Sequence, residues 1–471
     1  MKRFVPRPEH SARHGILEVT NFGDFMAPAS SAPAGGTNAN RSILDLAIRC
    51  GEVIFASGAS AEDATAAMLA VTRAYGLRGC EADVTHTIIT LSYDDADSGE
   101  GITKSRNVKY RTLDYTRLTN TSTLIGDLLH APVSVVEARS RVDAIIRAHP
   151  IYPTVVRRIG WSLVGAGAAM LLGGGPLVVG AAFLATFFVD LVTSLLARTG
   201  MSVFYQTLAG GAIGPLVAAV VHVIDPAASS SLVVVATIIM LLAGVTSFGA
   251  VQDVLSGFYV TGTARILEAL LITGGLVAGV AGTTMLLARF GMVLNIEPYV
   301  APTLEGITLA VAGSIVIILG FALGVEVPPR ALWAVCVLGV LGYLVFTAAV
   351  TSEFGVAWSA GASAVVVGVL SAFASRAARV PPLPLVVSAL VPLVPGSILF
   401  RGLLELSDGS IDGLLSMLEA ASVAVALAAG ALLGQYLVQS TLGPARRIQR
   451  RFVGPLMGVQ VRLSRQQDET I

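Results

Sequence analysis

Charged residues are scarce in this chain of 471 amino acids, of which only 13% are charged while 54% are apolar. A typical soluble domain carries about 25% charged residues, so this chain has too few to cover a water-facing globule. Its mean hydropathy of +0.75 agrees with that conclusion. This composition excludes disordered chains, coiled coils, secreted disulfide scaffolds and nucleic-acid-binding proteins. The 31 basic residues balance 31 acidic ones, so the net charge indicates no polyanionic partner.

Cysteine is also scarce, and motifs for metals and nucleotides are missing. Cys50, Cys80 and Cys336 form no CxxC pair and have no histidine at ligand spacing, so we expect neither a metal site nor a disulfide. The Gly-rich run at 165–175 lacks the lysine of a Walker A loop, which excludes an ATP-driven pump. The first 15 residues lack the apolar core of a cleavable signal peptide, so none is expected. We expect no cofactor.

The N-terminal third has the pattern of a disordered tail over 1–40 followed by a small α+β cytoplasmic domain over 41–158. Ser60 and Asp63 resemble a capping box, with Asp in place of the usual Glu or Gln, at the start of a helix. The predicted elements are a helix at 41–56, a second helix from about 60 to 75, strands at 80–94 and 107–115, and a helix at 134–149.

Ten apolar runs follow, each near the ~20 residues that cross a bilayer. They predict a polytopic α-helical membrane protein with about ten transmembrane helices. The predicted spans are 159–175, 177–197, 205–224, 230–250, 264–288, 302–324, 331–350, 354–375, 382–400 and 414–438. The ninth carries Pro392 and Pro395, which indicate a break in it.

The distribution of arginine predicts that both termini are cytoplasmic. With 1–158 inside, the inner loops carry five arginines and the outer loops only two, Arg289 and Arg401. The basic tail over 439–471 then returns to the cytoplasm. The expected location is therefore a cell membrane that the chain crosses several times.

The first five spans recur in the last five, which divides the membrane part into repeats over 159–290 and 302–438. Asp253 matches Glu405 at an offset of 152 residues, and Glu268 matches Glu419 at 151. Because each repeat has an odd number of spans, the second copy inserts upside down. Two inverted five-helix repeats are typical of secondary transporters, whose sites lie between the repeats near broken helices.

The chain also resembles the bacterial threonine/serine exporters (ThrE-type) over about 41–440. The resemblance rests on SGASAED (57–63) and ADVTHTIITL (82–91) in the first part and on VQD (251–253) and EALL-x-TGG (268–275) in the first membrane half. In the second half it rests on P-x(2)-PG (392–396), RG (401–402) and LAAG-x(2)-LG (427–434). The resemblance implies export of L-threonine and L-serine from cytoplasm to exterior, driven by the proton motive force.

Ionisable residues inside spans are the candidates for proton coupling, since each costs about 2.5–3.5 kcal/mol to insert. Glu268 and Glu419 lie at equivalent repeat positions, and Asp190 lies inside the second span. The alternative for Glu268 is a simple ion pair with Arg265, one helical turn away, and Glu419 could merely lie near the outer interface.

Substrate recognition requires groups for a carboxylate and an ammonium. The candidates are the charged residues Asp253, Arg265, Arg401 and Glu405, together with glycines that would permit unwound segments at 244–262 and 394–413. These glycines are Gly244, Gly257, Gly262, Gly396, Gly409 and Gly413. Solvated loop acids, topology-setting arginines and ordinary glycine turns are the alternatives.

Three further functions stay open at this level: a membrane-embedded enzyme served by the soluble domain, a membrane-anchored sensor, and an exporter of other small neutral amino acids or dipeptides. The acids lie at repeat-related positions rather than in one cluster, so we expect a transporter and not an enzyme. The bilayer, protons and the amino acid are the expected partners, and the sequence does not define the oligomeric state.

Overall fold

The computed structural model describes residues 37–94, 101–108, 111–241, 244–292, 307–407 and 410–441. Most of the predicted N-terminal tail, most of the basic C-terminal tail and Gly409 lie outside these residues. Residues 37–40, assigned to the tail by sequence, are instead the first turn of a helix.

The N-terminal part is a small α+β domain around a three-stranded antiparallel sheet in the order β1-β2-β3. Phe55, Leu91 and Tyr115 are fully buried in its core. The predicted cap is confirmed, since Ser60 accepts a hydrogen bond from the Asp63 N–H at 3.1 Å. The elements are α1 (Thr37–Ala56), α2 (Ala61–Ala74), β1 (Cys80–Val84), β2 (Ile88–Asp94), β3 (Gly101–Asn107), α3 (Tyr115–His130) and α4 (Val135–Arg147).

Of two strand predictions in this domain, one is confirmed in part and one was wrong. The predicted strand over 80–94 consists of two strands, β1 and β2, which form a hairpin that turns where the Thr85 N–H donates to the Ile88 carbonyl at 2.8 Å. Threonine favours strands, so it hides the turn in the sequence pattern. The described residues of the second predicted strand, 107–115, lead into α3, whose first turn is capped by Asp114 at 2.8 Å from the Arg117 nitrogen.

The remaining chain is a helical bundle, and seven of its described helices are long and apolar enough to cross a membrane. They are Pro176–Arg198, Val203–Ile224, Tyr259–Arg289, Ile307–Gly324, Pro329–Thr351, Val356–Ala378 and Asp412–Val438. Large apolar side chains such as Leu184, Phe188 and Leu267 face outward, as a lipid-facing surface requires. The helices are α5 (Thr154–Leu171), α6 (Pro176–Arg198), α7 (Val203–Ile224), α8 (Ser230–Leu241), α9 (Gly244–Leu255), α10 (Tyr259–Arg289), α11 (Ile307–Gly324), α12 (Leu332–Thr351), α13 (Val356–Ala378), α14 (Pro382–Leu390), α15 (Gly396–Ser407) and α16 (Asp412–Thr441).

One of the ten predicted spans is broken, as its prolines indicate: the run 382–400 forms α14 and α15. Pro392 and Pro395 explain this break, because proline lacks the N–H that a continuing helix needs. The described parts of the run 230–250 are helical, in α8 and α9.

The predicted unwound segments are also shorter than expected. Most of 244–262 and 394–413 is helical, in α9 and α15 and in the first turns of α10 and α16. The chain turns instead at Gly257, whose φ of +89° is accessible mainly to glycine.

The helices of the two halves pack in matching pairs. α7 packs on α10 as α13 packs on α16, α9 packs on α10 as α15 packs on α16, and the two leading helices α5 and α11 pack on each other. Glycines allow this close approach: a Cβ on Gly430 would lie 2.5 Å from the Gly361 carbonyl oxygen. Each half is therefore held together in the same way.

Candidate functional site

A cavity of about 530 Å³ lies between helices from both halves of the bundle. Its wall includes Trp161 of α5, Phe321 of α11, Tyr343 of α12 and Glu419 of α16, and Leu113 of the N-terminal domain also reaches it. We call the end of the bundle that contacts the N-terminal domain the domain end, and the opposite end the far end.

One wall of the cavity is the break between α14 and α15. A 3₁₀ turn at Val391–Leu393 follows α14, Val394 is extended, and α15 then begins at Gly396. The first turn of a helix leaves N–H groups without intrahelical partners, and the last turn leaves carbonyl groups. The break therefore offers a partly positive helix start and a partly negative helix end to the same space.

Matching positions of the two halves meet at this cavity. Ile239 and Val391 both line it, as do Thr246 and Ile398, and the members of each pair are 152 residues apart. The cavity thus lies where corresponding helices of the two halves approach each other.

Arg401 and Glu419 bring charge to the cavity wall. The Arg401 Nη2 lies 3.9 Å from the Glu419 Oε2, and its Nε lies 3.5 Å from the Glu405 Oε1. Ser416 donates to Glu405 at 2.8 Å. The Arg401 side chain is 39% exposed, so guanidinium N–H groups other than the one beside Glu405 are available to an anion.

This cluster lies toward the far end. Tyr436, near the other end of α16, is within electrostatic range of Glu62 and Asp63 in the N-terminal domain. The start of α16, and the turn that joins it to α15, are therefore at the far end.

A second charged cluster lies at the domain end. The Arg265 Nη1 lies 2.8 Å from the Asp253 Oδ2, and these two side chains are only 6% and 0% exposed. Arg265 also donates to the Ala59 carbonyl at 3.1 Å. The alternative ion pair between Arg265 and Glu268 is not what the structure shows, because Arg265 is occupied by Asp253.

Glu268 faces the N-terminal domain instead. Its Oε2 lies 3.8 Å from the His86 Nε2, on the turn between β1 and β2. Burial, and then the nearby Arg111 guanidinium, lower the pKa of His86, while the Glu268 carboxylate opposes that shift.

The two clusters correspond position by position, except that their arginines lie on helices that are not equivalent in the two halves. Asp253 and Glu405 each lie two residues before the end of their short helix. At the repeat offsets of 152 and 151, Arg401 matches Gly249 and Arg265 matches Ser416. A Cβ on Gly249 would lie 2.9 Å from the Arg265 Nη1, so both arginines reach the same part of their cluster from different helices.

The other predicted site residues lie elsewhere. Asp190 forms an ion pair with Arg158 at 3.2 Å and does not line the cavity. Gly262 and Gly413 are not turns but contact points: a Cβ on Gly413 would lie 2.5 Å from the Gly402 carbonyl oxygen, and one on Gly262 3.0 Å from that of Ala250.

Gly396 is the first residue of α15, so it begins the half-helix that follows the break, and Gly244 belongs to α9. At the break, the predicted backbone donors for a carboxylate therefore come from a helix start rather than from a long unwound loop.

Sequence reasoning missed the hydroxyl groups on the cavity wall. Tyr343, Thr347 and Thr351 line the cavity and share one face of α12 because they are four residues apart. Thr347 donates its own hydrogen to the Tyr343 carbonyl at 2.9 Å, which leaves its oxygen lone pairs free to accept. Polar residues at this spacing in an apolar helix would have been a usable indication.

Comparison with known proteins identifies the family. A family model described as a putative threonine/serine exporter matches residues 45–287, and one described as threonine/serine exporter, ThrE, matches residues 310–437. No solved structure matches the chain. A probable threonine/serine exporter of Mycobacterium tuberculosis is 30% identical, covering 94% of this chain and 87% of that protein. A threonine/serine exporter of Corynebacterium glutamicum is 28% identical, covering 89% and 87%. With its apolar helices, the chain is a multi-pass membrane protein that belongs to the threonine/serine exporter family.

Proposed function

We propose that this protein is a secondary active exporter of small hydroxy amino acids, L-threonine and L-serine, from cytoplasm to exterior of the bacterial inner membrane, driven by the proton motive force. It moves its substrate unchanged, without making or breaking bonds. The observation that carries the proposal is a cavity in which a helix break, Arg401 and Glu419 face one another.

The cavity has partners for each end of a zwitterion. The start of α15 and the partly exposed Arg401 guanidinium suit a carboxylate. The carbonyl groups at the end of α14 and the Glu419 carboxylate suit an ammonium. Thr347 can accept a hydrogen bond from a substrate hydroxyl, which favours serine and threonine over purely apolar side chains.

Proton coupling follows if a proton and the substrate ammonium compete for Glu419. At the exterior, protonation of Glu419 would remove the charge that holds the ammonium and would release the amino acid. Glu268 is its repeat mate near the domain end and would exchange protons with the cytoplasm. Each carboxylate would be neutral while it is buried and ionised while it is exposed.

An inverted pair of five-helix repeats would supply the alternating access. The contact between α5 and α11 supports this symmetry. Gly160 meets Gly320, and Gly167 meets Gly313, while the sequence offset of 153 pairs Gly160 with Gly313 and Gly167 with Gly320. Such a crosswise contact between equivalent residues is what a two-fold axis between the repeats produces.

The cavity volume exceeds what one threonine fills, which favours a broader range of substrates as the second candidate function. Other small neutral amino acids, or dipeptides, would use the same carboxylate and ammonium partners.

Efflux from loaded cells tests the proposal. Cells preloaded with a threonine-containing dipeptide should release threonine faster when they contain the protein, and Arg401→Gln should abolish that gain. Arg376→Gln, which changes an exposed arginine of α13, is the matched control and should export normally. Equal efflux with and without the protein would contradict the proposal, and preloading with alanine-containing dipeptides measures the substrate range.

Orientation is tested by labelling single cysteines in a cysteine-free background. Met201, between α6 and α7 at the domain end, and Ile411, at the far end, are both exposed. An impermeant maleimide should label Ile411→Cys in intact cells and Met201→Cys only in inside-out vesicles. Labelling of both from one side would remove the proposed topology, in which the N- and C-termini are cytoplasmic.

A further inference from the structure

We propose that the N-terminal domain is the inner gate of the transporter, and that the start of α2 must detach from Asp253 and Arg265 before substrate can enter from the domain end. This inference rests on the proposed export function. In every transport cycle the domain would open at this contact to admit substrate and then close again.

Four hydrogen bonds fasten the domain to the segment 253–265, which we call the latch segment. The Ala61 N–H donates to the Asp253 Oδ1 at 2.8 Å, and Ser256 donates to Glu62 at 2.6 Å. Thr261 donates to the Val84 carbonyl at 2.9 Å, and Arg265 donates to the Ala59 carbonyl at 3.1 Å. The latch segment is the end of α9, the turn and the start of α10.

The contact at Ala61 joins a carboxylate to a helix start. Ala61 is the first residue of α2, so its N–H has no partner within the helix. Asp253 supplies that partner from the membrane part, and its charge lies at the positive end of the α2 dipole. This contact is strong because both the hydrogen bond and the dipole favour it, yet it involves a single side chain.

The domain also closes the cavity. Leu113 lines the cavity and packs against Gly58, where a Cβ would lie 2.5 Å from the Leu113 Cδ2. Gly58 has a φ of +100° and belongs to the same loop as Ala59, which accepts the hydrogen bond from Arg265. Movement of this loop would therefore release the latch segment and uncover the cavity together.

A second contact fixes the domain to the other half. The Tyr115 N–H donates to the Val325 carbonyl at 3.0 Å, and beside it Arg157, at the start of α5, pairs with Glu326 at 3.0 Å. The chain connecting the domain to α5 passes here, since the Tyr152 hydroxyl donates to the Val327 carbonyl at 3.0 Å. Because this side is tethered covalently, it acts as the hinge and the latch segment is the side that opens.

The difference between the two charged clusters agrees with this assignment. Asp253 and Arg265 are 0% and 6% exposed under the domain, whereas Glu419 and Arg401 at the far end are 41% and 39% exposed. The domain seals one end of the bundle, and the repeat-related cluster at the far end has no such cover from it.

Cross-linking tests the latch in a background without native cysteines. Glu62→Cys with Ser256→Cys, joined by a short bifunctional methanethiosulfonate, should lose threonine export and recover it after reduction. Thr116→Cys with Glu326→Cys, joined across the hinge, should export equally before and after cross-linking, since Thr116 donates to the Glu326 carbonyl at 2.6 Å on the tethered side. Export that persists through the latch cross-link, or is lost equally at the hinge, would overturn the proposal.

A second measurement does not depend on the substrate. Ala61→Pro removes the N–H that Asp253 binds, while proline is favourable at the first position of a helix. The reporter is Thr347→Cys in the cavity, and its rate of reaction with a maleimide is measured in inside-out vesicles. It should react about tenfold faster in Ala61→Pro than in Ala61→Gly, because loss of a hydrogen bond to a charged group shifts an equilibrium by about that factor. Equal rates would overturn the latch. If labelling responds but no variant exports threonine, the latch stands and the proposed substrate fails.

Discussion

The carbonyl oxygen of Gly160 lies 2.5 Å from the point where a Cβ on Gly320 would be, so α5 and α11 cross backbone against backbone. Seven residues further along the same two helices, Gly167 and Gly313 make the same contact, with 2.7 Å between each carbonyl oxygen and the Cβ position of the other glycine. These helices lead the two halves of the bundle. Their crossing therefore holds the halves together without a bulky side chain between them.

We predict that Gly320→Ala destabilises the protein by about 1–3 kcal/mol, because the new methyl group meets backbone atoms that cannot move aside. Thermal unfolding of the detergent-solubilised protein measures the effect. Gly180→Ala is the control, since a Cβ on Gly180 of α6 meets nothing within 4 Å and its stability should be unchanged or higher. Equal melting temperatures for both variants would contradict the proposed crossing.

The sequence predicted those features of the fold that depend on residues at fixed spacings along the chain. The matches of Asp253 with Glu405 and of Glu268 with Glu419 place these acids at corresponding points of α9 and α15 and of α10 and α16. The N-cap at Ser60 is confirmed for the same reason, because this cap depends on residues three positions apart.

Contacts that depend on the path of the chain could not be predicted in this way. Arg265 and Glu268 are one turn apart in sequence, and the spacing favours an ion pair. The turn at Gly257 instead brings Asp253 to Arg265, and no local pattern records that approach. The hydroxyls of Tyr343 and Thr347 were missed because they become a site only when α12 packs beside the helix break.

The Asp253–Arg265 pair provides the second prediction. Asp253→Asn leaves a buried guanidinium without its counter-charge, which costs about 3–5 kcal/mol, so we expect poor yield of folded protein. Adding Arg265→Gln should restore the yield, because both charges are then gone. Size-exclusion profiles of a fluorescent fusion measure this. If Glu268→Gln, rather than Asp253→Asn, were rescued by Arg265→Gln, the pairing would be wrong.

Asp63 provides a pH-dependent prediction. Burial raises its pKa from 3.8 to about 7, and the neighbouring charges of Glu62 and Asp253 act in the same direction, although its hydrogen bonds with Ser60 oppose the shift. Between these pH values the folded protein holds a proton that the unfolded chain has released. The free energy of unfolding from this group therefore falls as pH rises toward about 7 and is lowest above it.

Asp63→Asn fixes the neutral form and should remove that part of the pH dependence. We expect its melting temperature to equal that of the parent protein near pH 4 and to exceed it at pH 8. Asp127→Asn, at an exposed position of α3, is the control. If the two melting temperatures differ by the same amount at pH 4 and at pH 8, Asp63 does not hold the proton in the folded protein.

Coupling is tested at the cavity carboxylate. Glu419→Gln keeps the shape of the side chain but cannot ionise, so it should still exchange labelled threonine across vesicles while losing export against a gradient. Glu268→Gln should behave in the same way if its repeat position carries the same task. Variants that retain full pH-dependent export, singly and combined, would move the coupling to another acid, with Asp190 and Asp253 next to be examined.

The exchanged arginines provide the last prediction. Arg401→Gly reproduces the glycine that the first half has at position 249, and it should lower the export rate about tenfold or more through loss of a charged hydrogen-bond donor. Adding Ser416→Arg then reproduces Arg265 of the first half. Ser416 lies 2.8 Å from Glu405 and 3.4 Å from Arg401, so an arginine from this position reaches the same part of the cavity wall. Export should largely return in the double variant.

Arg401→Gly with Ile411→Arg is the control, since it restores the net charge at an exposed turn and should stay inactive. Recovery with Ile411→Arg would mean that only the overall charge matters, whereas recovery with Ser416→Arg alone supports a guanidinium that binds substrate from either of two helices.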